Sequence, residues 1–372
     1  MSRILFLAPR FHTNQSELVA GLLDRGHDVS YVVMGQSKSE DHSRLTPTVM
    51  PPSRLNRIVS PFIAKEGDGL FYRARRTVPS LRAMYREIFG FKPDVAIIRP
   101  FYSYFVFIAL CLFRLRGTRV VLYTQTPKYK RSLRWRDRRN LFVITQLLRW
   151  RLFTVVERIE GEAEYVDLSP KKHFIPFAHS VNEDAIGRSY NLIRPRILVI
   201  GKFVGRKNYD ALLEALALVK YPYTLTIIGE NTTQAHSVEC ERILLKMKAL
   251  NLESNITVYQ NQEHEFVCKQ YLEHDIFLLP SYAEPASVSQ LEAMAAGLPV
   301  VICRDNGTAN YVEHQRNGLL CDRSAESIAE SLNYLLVEPR RIETFGKESL
   351  SVLREKCSPS TVCERLEGLL LN

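Results

Sequence analysis

Long apolar runs are missing from this chain of 372 residues. A bilayer-spanning helix needs about 20 consecutive apolar residues. The longest candidate, the 13-residue stretch Phe101–Phe113 between Arg99 and Arg114, falls short and reads as a buried helix. The opening MSRILFLAPRF has a brief apolar run and no small-residue cleavage site, so a secretory leader is not expected. Cysteines are few: seven, an odd number, with no C-x-x-C spacing. That argues against a disulfide scaffold or a structural zinc site and suits a reducing cytoplasm. Nor do the histidines show metal-ligand spacing, so no metal is expected. His27, in RGHDV, reads as a residue joining a helix to a strand.

What is present is an ordinary globular composition, 46% hydrophobic and 24% charged, which excludes a disordered or fibrous chain. The charge is unevenly divided. Residues 1–190 carry 31 Lys and Arg against 17 Asp and Glu, whereas residues 191–372 carry 19 against 23. A strongly basic half and a mildly acidic half are expected to face different partners.

Each half opens in the same way. Arg3–Ala8 is an apolar run followed by a polar loop through Gln15, a helical pattern over Ser16–Leu23, a stop at Gly26 and a second run at Val29–Val33. In the second half Arg196–Ile200 leads into Gly201, a loop to Asn208, a helical pattern over Tyr209–Val219 and the run Thr224–Ile228. Further units alternate: Asp94–Ile98, a helix from Tyr102 to Arg114 and Arg119–Tyr123 in the first half; helices near Glu239–Ala249, Glu265–Glu273 and Val288–Ala296 among strands in the second. Strands separated by helices imply parallel sheets covered on both faces, hence two doubly wound α/β domains. The polar stretch ending at Pro195 reads as a linker. The domains are then 1–180 and 196–357, with 181–195 between them, and an amphipathic helix over 358–372 packs back on the first. Residues 35–60 read as an irregular loop or insertion. Ligands of such sheets sit beyond the carboxyl ends of the strands, here after Leu7, Ile200, Ile228 and Leu279.

Two segments carry chemistry. In residues 281–301, Glu292 is the only charge between Glu284 and Arg304, and it projects beside the stripe Val288, Leu291, Ala295. An ionised carboxylate there is costly without donors, and a ribose diol offers two; a solvated helix face is the alternative. Just ahead, Ala286, Ser287 and Val288 place backbone N–H groups at a helix start, a ready anion site. Pro285 suits the first turn. The second segment, Gly201 to Asn208, sets Lys202, Arg206 and Lys207 before a helix, where the macrodipole disfavours cations unless an anion such as a diphosphate lies between them. A solvated charge run is the bland reading of the same residues.

Together these segments carry a resemblance. Gly201 with Lys202 and Lys207, the Glu-x7-Glu spacing of Glu284 and Glu292, then LEAMAAGLPVV (291–301) and NGTANYVEHQRNGLLCD (306–322), resemble the retaining GT-B glycosyltransferases of family 4. The match runs in order over residues 196–336. Weaker similarity covers RGHDV (25–29), KPDVAII (92–98) and IPFAHSV (175–181). The resemblance implies a GT-B fold, two Rossmann-like domains facing across a cleft. It implies that Glu292 binds the nucleotide ribose, that Glu284 orients the donor sugar, and that Lys202 and Lys207 neutralise the diphosphate, aided by Arg206, without a metal. The nucleotide-sugar is a substrate, so no cofactor is expected. Departures from the family pattern are Pro285-Ala286-Ser287 for Gly-Phe-Gly, Thr13-Asn14-Gln15 for Gly-Gly, Ala309-Asn310 for Pro-Glu, and Thr124-Gln125 where many members carry a histidine. Asn14, Gln15 and Gln125 are the acceptor-side candidates.

Residues Lys128–Arg139 hold seven cations and two aromatics in twelve positions. A cation near an anionic leaflet gains about 1 kcal/mol, and Trp135 favours the interface. The expectation is therefore a cytoplasmic enzyme attached peripherally to the inner face of the plasma membrane, where a glycan or lipid-linked acceptor is presented. Competing readings are a GT-B nucleotide-sugar epimerase, a retaining glycosidase using Glu284 and Glu292, which needs carboxyls about 5–5.5 Å apart, and a basic nucleic-acid-binding protein. No zinc-finger spacing or RNA-recognition signature accompanies the charge, so no nucleic acid is expected.

Overall fold

In the computed structural model, residues 1–11, 13–36, 42–54, 56, 78–99, 104–159, 165–168 and 172–371 are described. The first half runs β1 (Arg3–Leu7), α1 (Ser16–Asp24), β2 (Asp28–Val33), β3 (Thr48–Val49), α2 (Leu81–Phe91), β4 (Val95–Ile98), α3 (Tyr104–Arg116), β5 (Arg119–Thr124), β6 (Tyr129–Lys130), α4 (Trp135–Phe142), β7 (Arg151–Thr154), β8 (Val166–Asp167) and β9 (Lys172–Phe174). Among the described residues seven of these strands form a parallel sheet in the order β3-β2-β1-β4-β5-β7-β9, and β6 pairs antiparallel with β8. The second half runs β10 (Arg196–Lys202), α5 (Tyr209–Ala217), β11 (Thr224–Glu230), α6 (Gln234–Ala249), β12 (Ile256–Gln260), α7 (His264–Glu273), β13 (Ile276–Leu279), α8 (Val288–Ala295), β14 (Val300–Cys303), β15 (Gly318–Cys321), α9 (Ala325–Leu336), α10 (Arg340–Cys357) and α11 (Pro359–Leu371). Its parallel sheet has the order β12-β11-β10-β13-β14-β15.

The local sequence explains these elements. Strands β4, β13, β14 and β15 are buried at every position because helices cover both faces, so they read as apolar runs without alternation. The edge strand β12 is buried only at Ile256. In each sheet the strand order reverses beside the first strand, between β1 and β4 and between β10 and β13. The crevices at those two points are where loops at the carboxyl ends can hold a ligand.

Three readings of the sequence change. Helix α6 begins at Gln234 and not at Glu239, because the Thr233 hydroxyl accepts from the His236 N–H at 3.2 Å; a cap starts the helix through polar residues that show no periodicity. The 35–60 segment contributes β3 to the sheet edge, while 37–41, 55 and 57–60 lie outside the described residues. Helix α3 is not buried all round. Phe105, Val106, Ala109 and Phe113 face the core, whereas Phe107 and Leu115 are 66% and 78% exposed.

The two sheets share one continuous apolar core that passes through α1, α11 and the residue 175–178 crossover. Tyr311 ties them together: its buried hydroxyl donates to the Val155 carbonyl at 2.7 Å and accepts from the Phe177 N–H at 2.9 Å. Arg188, which precedes β10, donates to the carbonyls of Tyr271, Leu272, His274 and Ala296. One buried guanidinium thus satisfies carbonyls at the C-terminal ends of α7 and α8, where cations complement the helix dipole. Helix α11 lies against α1. His27 Nε2 is 2.9 Å from Glu367 on α11, and Arg25 pairs with the same carboxylate at 2.7 Å.

Candidate active site

The site is built at the β10–β13 crevice. Gly201 is required there by close approach: a Cβ on it would stand 2.8 Å from Lys207 Cε, so the bare backbone lets the lysine stem cross the strand end. Gly205–Lys207 form a single 3-10 turn closed by Asn208 in the left-handed region (φ 58°). The Asn208 amide donates to the Pro280 and Arg323 carbonyls at 3.2 and 3.0 Å, which stitches the turn to the end of β13.

Lys207 is buried, and its Nζ lies 2.8 Å from Glu284 Oε2. Arg206 donates to that same oxygen. Burial lowers the Lys207 pKa, while the Glu284 carboxylate beside it acts in the opposite direction. Two cations thus share one carboxylate, leaving a net positive charge at the head of the crevice. Lys202 lies apart from this group. It is half-exposed and paired with Glu230 across the β10–β11 ends at 2.8 Å.

Glu284 sits on a loop clamped by the 305–308 segment. Ala283 adopts a positive φ of 50°. The Glu284 N–H donates to Asn306 Oδ1 at 2.9 Å, its carbonyl accepts from the Gly307 N–H at 2.8 Å, and Asn306 Nδ2 donates to the Ser281 carbonyl at 2.9 Å. A Cβ on Gly307 would fall 2.2 Å from the Pro285 carbonyl oxygen, so the two loops approach backbone to backbone. Ser287 then caps α8 by accepting from the Gln290 N–H at 3.3 Å. Among the described residues no acceptor takes the N–H groups of Ala286, Ser287 and Val288. Among the described residues the same loops hold buried polar atoms without partners: Ser281 Oγ, Asp305 Oδ1, Thr308 Oγ1 and Asn310 Oδ1. Such a concentration calls for a ligand or water.

Glu292 lies just over one turn into α8, half-buried, and accepts from the Tyr271 hydroxyl at 2.7 Å. Burial, then the carboxylate, raises the Tyr271 pKa well above its ordinary value, so the phenol stays a donor and fixes one carboxylate oxygen. Tyr271 is a site residue that the sequence did not reveal, because on α7 it reads as another apolar helix position.

On the facing sheet, Gln125 ends β5 and accepts from Arg99 Nη2 at 2.6 Å. It lines a cavity that reaches Pro285 on the opposite loop, so it stands across the cleft from Glu284's segment. Gln15 is instead buried and committed to the Tyr31 hydroxyl, and the neighbouring Asn14 Oδ1 is buried with no partner among the described residues. In the 128–139 cluster, Lys128 pairs with Glu157 and Asp167, and Lys130 with Asp137. Arg134, just before α4, is exposed, and the outward face of α4 keeps Arg136, Arg138 and Arg139 exposed, with Arg136 and Arg139 over the ring of Trp135 at 5.9 and 4.9 Å. Among the described residues no group of three His, Cys, Asp or Glu is placed to hold a metal ion, and no helix is long and apolar enough to cross a membrane.

Comparison with known proteins places this geometry. Residues 189–351 match the family model described as Glycosyl transferases group 1. An uncharacterized glycosyltransferase of Haemophilus influenzae is 28% identical over 179 residues, 47% of this chain and 48% of that protein. The lipopolysaccharide glucosyltransferase WaaG of Escherichia coli is 27% identical over 166 residues, 42% of each. The chain thus aligns with about half or less of the length of these curated relatives. Whole-chain likeness appears in the fold. A glycosyltransferase from Rickettsia africae superposes with a TM-score of 0.73 at 13% identity, covering 99% of this chain and 98% of that one. Anabaena HepE, solved with UDP and glucose, gives 0.68 at 14% identity over the whole of both chains. Residues 189–351 are thus similar to the Glycosyl transferases group 1 family, on a chain with the two-domain GT-B fold.

Proposed function

We propose that this chain is a retaining glycosyltransferase that moves a sugar from a nucleotide-sugar to a hydroxyl of a glycan or lipid-linked acceptor in cell-surface polysaccharide synthesis. The observation that carries the reading is the convergence of Lys207 and Arg206 on Glu284 beside the start of α8, in the β10–β13 crevice. A departing diphosphate needs preorganised positive charge, and these cations with the 286–288 amides supply it without a metal. When the diphosphate enters, the cations turn from Glu284 to the phosphates, which frees the carboxylate for the donor sugar's hydroxyls. Glu292, held by Tyr271, takes the ribose diol through its other oxygen. The acceptor hydroxyl enters from the facing sheet, near Gln125, and attacks from the side the diphosphate leaves. The exposed Arg and Trp135 face of α4 supports attachment to the anionic inner surface of a membrane.

A thermal-shift screen over UDP-, GDP-, ADP- and CMP-sugars tests the donor reading, since one selective donor is expected and none would sink it. Product stereochemistry then decides the mechanism: an α-linked donor should yield an α-linked product, and inversion refutes retention. Transfer without acceptor, with nucleotide release to an epimerised sugar, favours the epimerase. Sedimentation with anionic and neutral vesicles tests the surface; equal recovery in both removes the membrane.

A further inference from the structure

Beside the site described above, the carboxyl ends of β4 and β5 open onto a cavity of about 470 Å³ closed from behind by the inner face of α4. That size falls within the roughly 300–1,000 Å³ of ordinary small-molecule pockets. Its wall is apolar along Leu122, Ile144 and Leu152, and Pro285 of the 284–288 loop completes it from across the cleft. Polar side chains such as Thr124, Gln125 and Asn140 line the rest, and three cations reach the same space.

Arg99 gives one nitrogen to Gln125 and stacks over Tyr123 at 5.1 Å, but its Nη1 is buried with no partner among the described residues. Lys172 is 3% exposed, and its ammonium donates to the Pro127 carbonyl at 3.2 Å with no carboxylate at ion-pair distance among the described residues. Lys130 is the third; Asp137, 2.7 Å away, neutralises it. Among the described residues Asp137 is the carboxylate lining the cavity, so the three cations there outnumber their counter-ions. Burial, then the neighbouring Lys130, depress the Lys172 pKa to about 8, while Asp137 and Asp167 act in the opposite direction. A buried charge of this kind is stable only when paired.

We propose that this cavity is an acceptor subsite for a phosphate ester on an aliphatic chain, with the phosphate between Arg99 and Lys172 and the chain along Leu122, Ile144 and Leu152. The inference rests on the glycosyltransferase reading for its role, since the occupant's head lies beside Pro285 and thus next to the donor loop. The chain half of the claim draws on α4 itself: its inner residues Asp137, Asn140 and Leu141 line the cavity while its outer face exposes Trp135, Phe142 and three arginines. One helix thus separates a cavity that holds cations and an apolar wall from an exposed aromatic and basic surface, as a phosphate carried on a lipid would need.

The test uses the full chain and four probes in calorimetry: farnesyl diphosphate, farnesol, glucose 1-phosphate and inorganic phosphate. Farnesyl diphosphate is expected to bind at least about tenfold tighter than each of the others, and Lys172→Met or Arg99→Met to weaken it by about tenfold, the scale of one charge-assisted hydrogen bond. Lys172→Arg should restore most of the affinity. Farnesol binding as tightly as its diphosphate overturns the anion, and glucose 1-phosphate or inorganic phosphate binding as tightly overturns the chain. Unchanged farnesyl diphosphate affinity in a folded Lys172→Met overturns the assigned residues, as does displacement of farnesyl diphosphate by UDP or GDP. If a methionine variant fails to fold, the wild-type probe series and Lys172→Arg still decide. Failure of the wild type to bind any nucleoside diphosphate sinks the glycosyltransferase reading and leaves the cavity result standing; nucleotide binding without farnesyl diphosphate binding does the reverse.

Discussion

Lysines 202 and 207 look equivalent in the sequence and are not equivalent in the structure, which makes their methionine variants the sharpest check on the site. Lys207 Nζ is 11% exposed at the side chain and shares Glu284 with Arg206, whose side chain is 41% exposed. Deleting one partner of a buried pair costs about 3–5 kcal/mol when the other is left alone. Arg206 stays on Glu284 here, so the stability loss in Lys207→Met should be nearer the about 1–3 kcal/mol of one unmade buried bond. A diphosphate loses one charge-assisted hydrogen bond of about 1.5–3 kcal/mol. At about 1.4 kcal/mol per decade that is roughly 10- to 150-fold in Kd. Lys202 pairs with Glu230 with side chains 51% and 43% exposed. Exposed pairs are worth about 0–1 kcal/mol, so Lys202→Met should cost about fivefold at most. Calorimetric titration of UDP and GDP into the two variants, with urea melts to monitor folding, reads both numbers. Equal losses, or a larger loss at Lys202, would refute the assignment of Lys207 to the diphosphate.

Three further outcomes follow from other contacts. Gly307→Ala places a Cβ 2.2 Å from the Pro285 carbonyl; the donor loop must move, at about 1–3 kcal/mol for overpacking, and nucleotide affinity should drop, whereas Gly368→Ala, with open space around it, should bind as the wild type does. In Tyr311→Phe the Val155 carbonyl and the Phe177 N–H lose their shared partner inside the domain junction; about 1–3 kcal/mol for each orphan should lower the urea midpoint, and an unchanged midpoint would show that water replaces the hydroxyl. The Arg25 guanidinium, followed by His27, holds the Glu367 pKa down to about 2. A carboxylate depressed in the folded state stabilises it above the unfolded value of about 4.3. That contribution is lost as pH falls toward about 2. Melting temperatures of the wild type and Glu367→Gln should therefore converge between those limits, and parallel curves would contradict the pairing.

Much of the scaffold was legible because it is local. Strands β13 and β14 announce themselves as apolar runs, and α1 by the spacing of Leu18 and Leu22. Other elements were hidden. The start of α6 depends on the Thr233 cap, and α3 reads as uniformly apolar, although only one of its faces meets the core. Within the candidate site, Lys207, Glu292 and the 286–288 turn drew notice because a cation cluster before a helix and a lone carboxylate among apolar residues stand in conflict with their surroundings. Tyr271, Arg99 and Lys172 were not, since a tyrosine on a helix and basic residues at strand ends carry no mark of what faces them.

The sequence by itself determined the alternation of strands and helices, the basic and acidic halves, and the loops where charge sits against local preference. These depend on residues within a few positions of one another, and periodicity or capping chemistry records them directly. Only the tertiary structure decided which cation meets which carboxylate, that Gln15 serves Tyr31 while Gln125 faces the cleft, and that Arg99 and Lys172 line one cavity. Those outcomes depend on packing between segments tens of residues apart, where burial, and not spacing, sets the cost of leaving a charge alone.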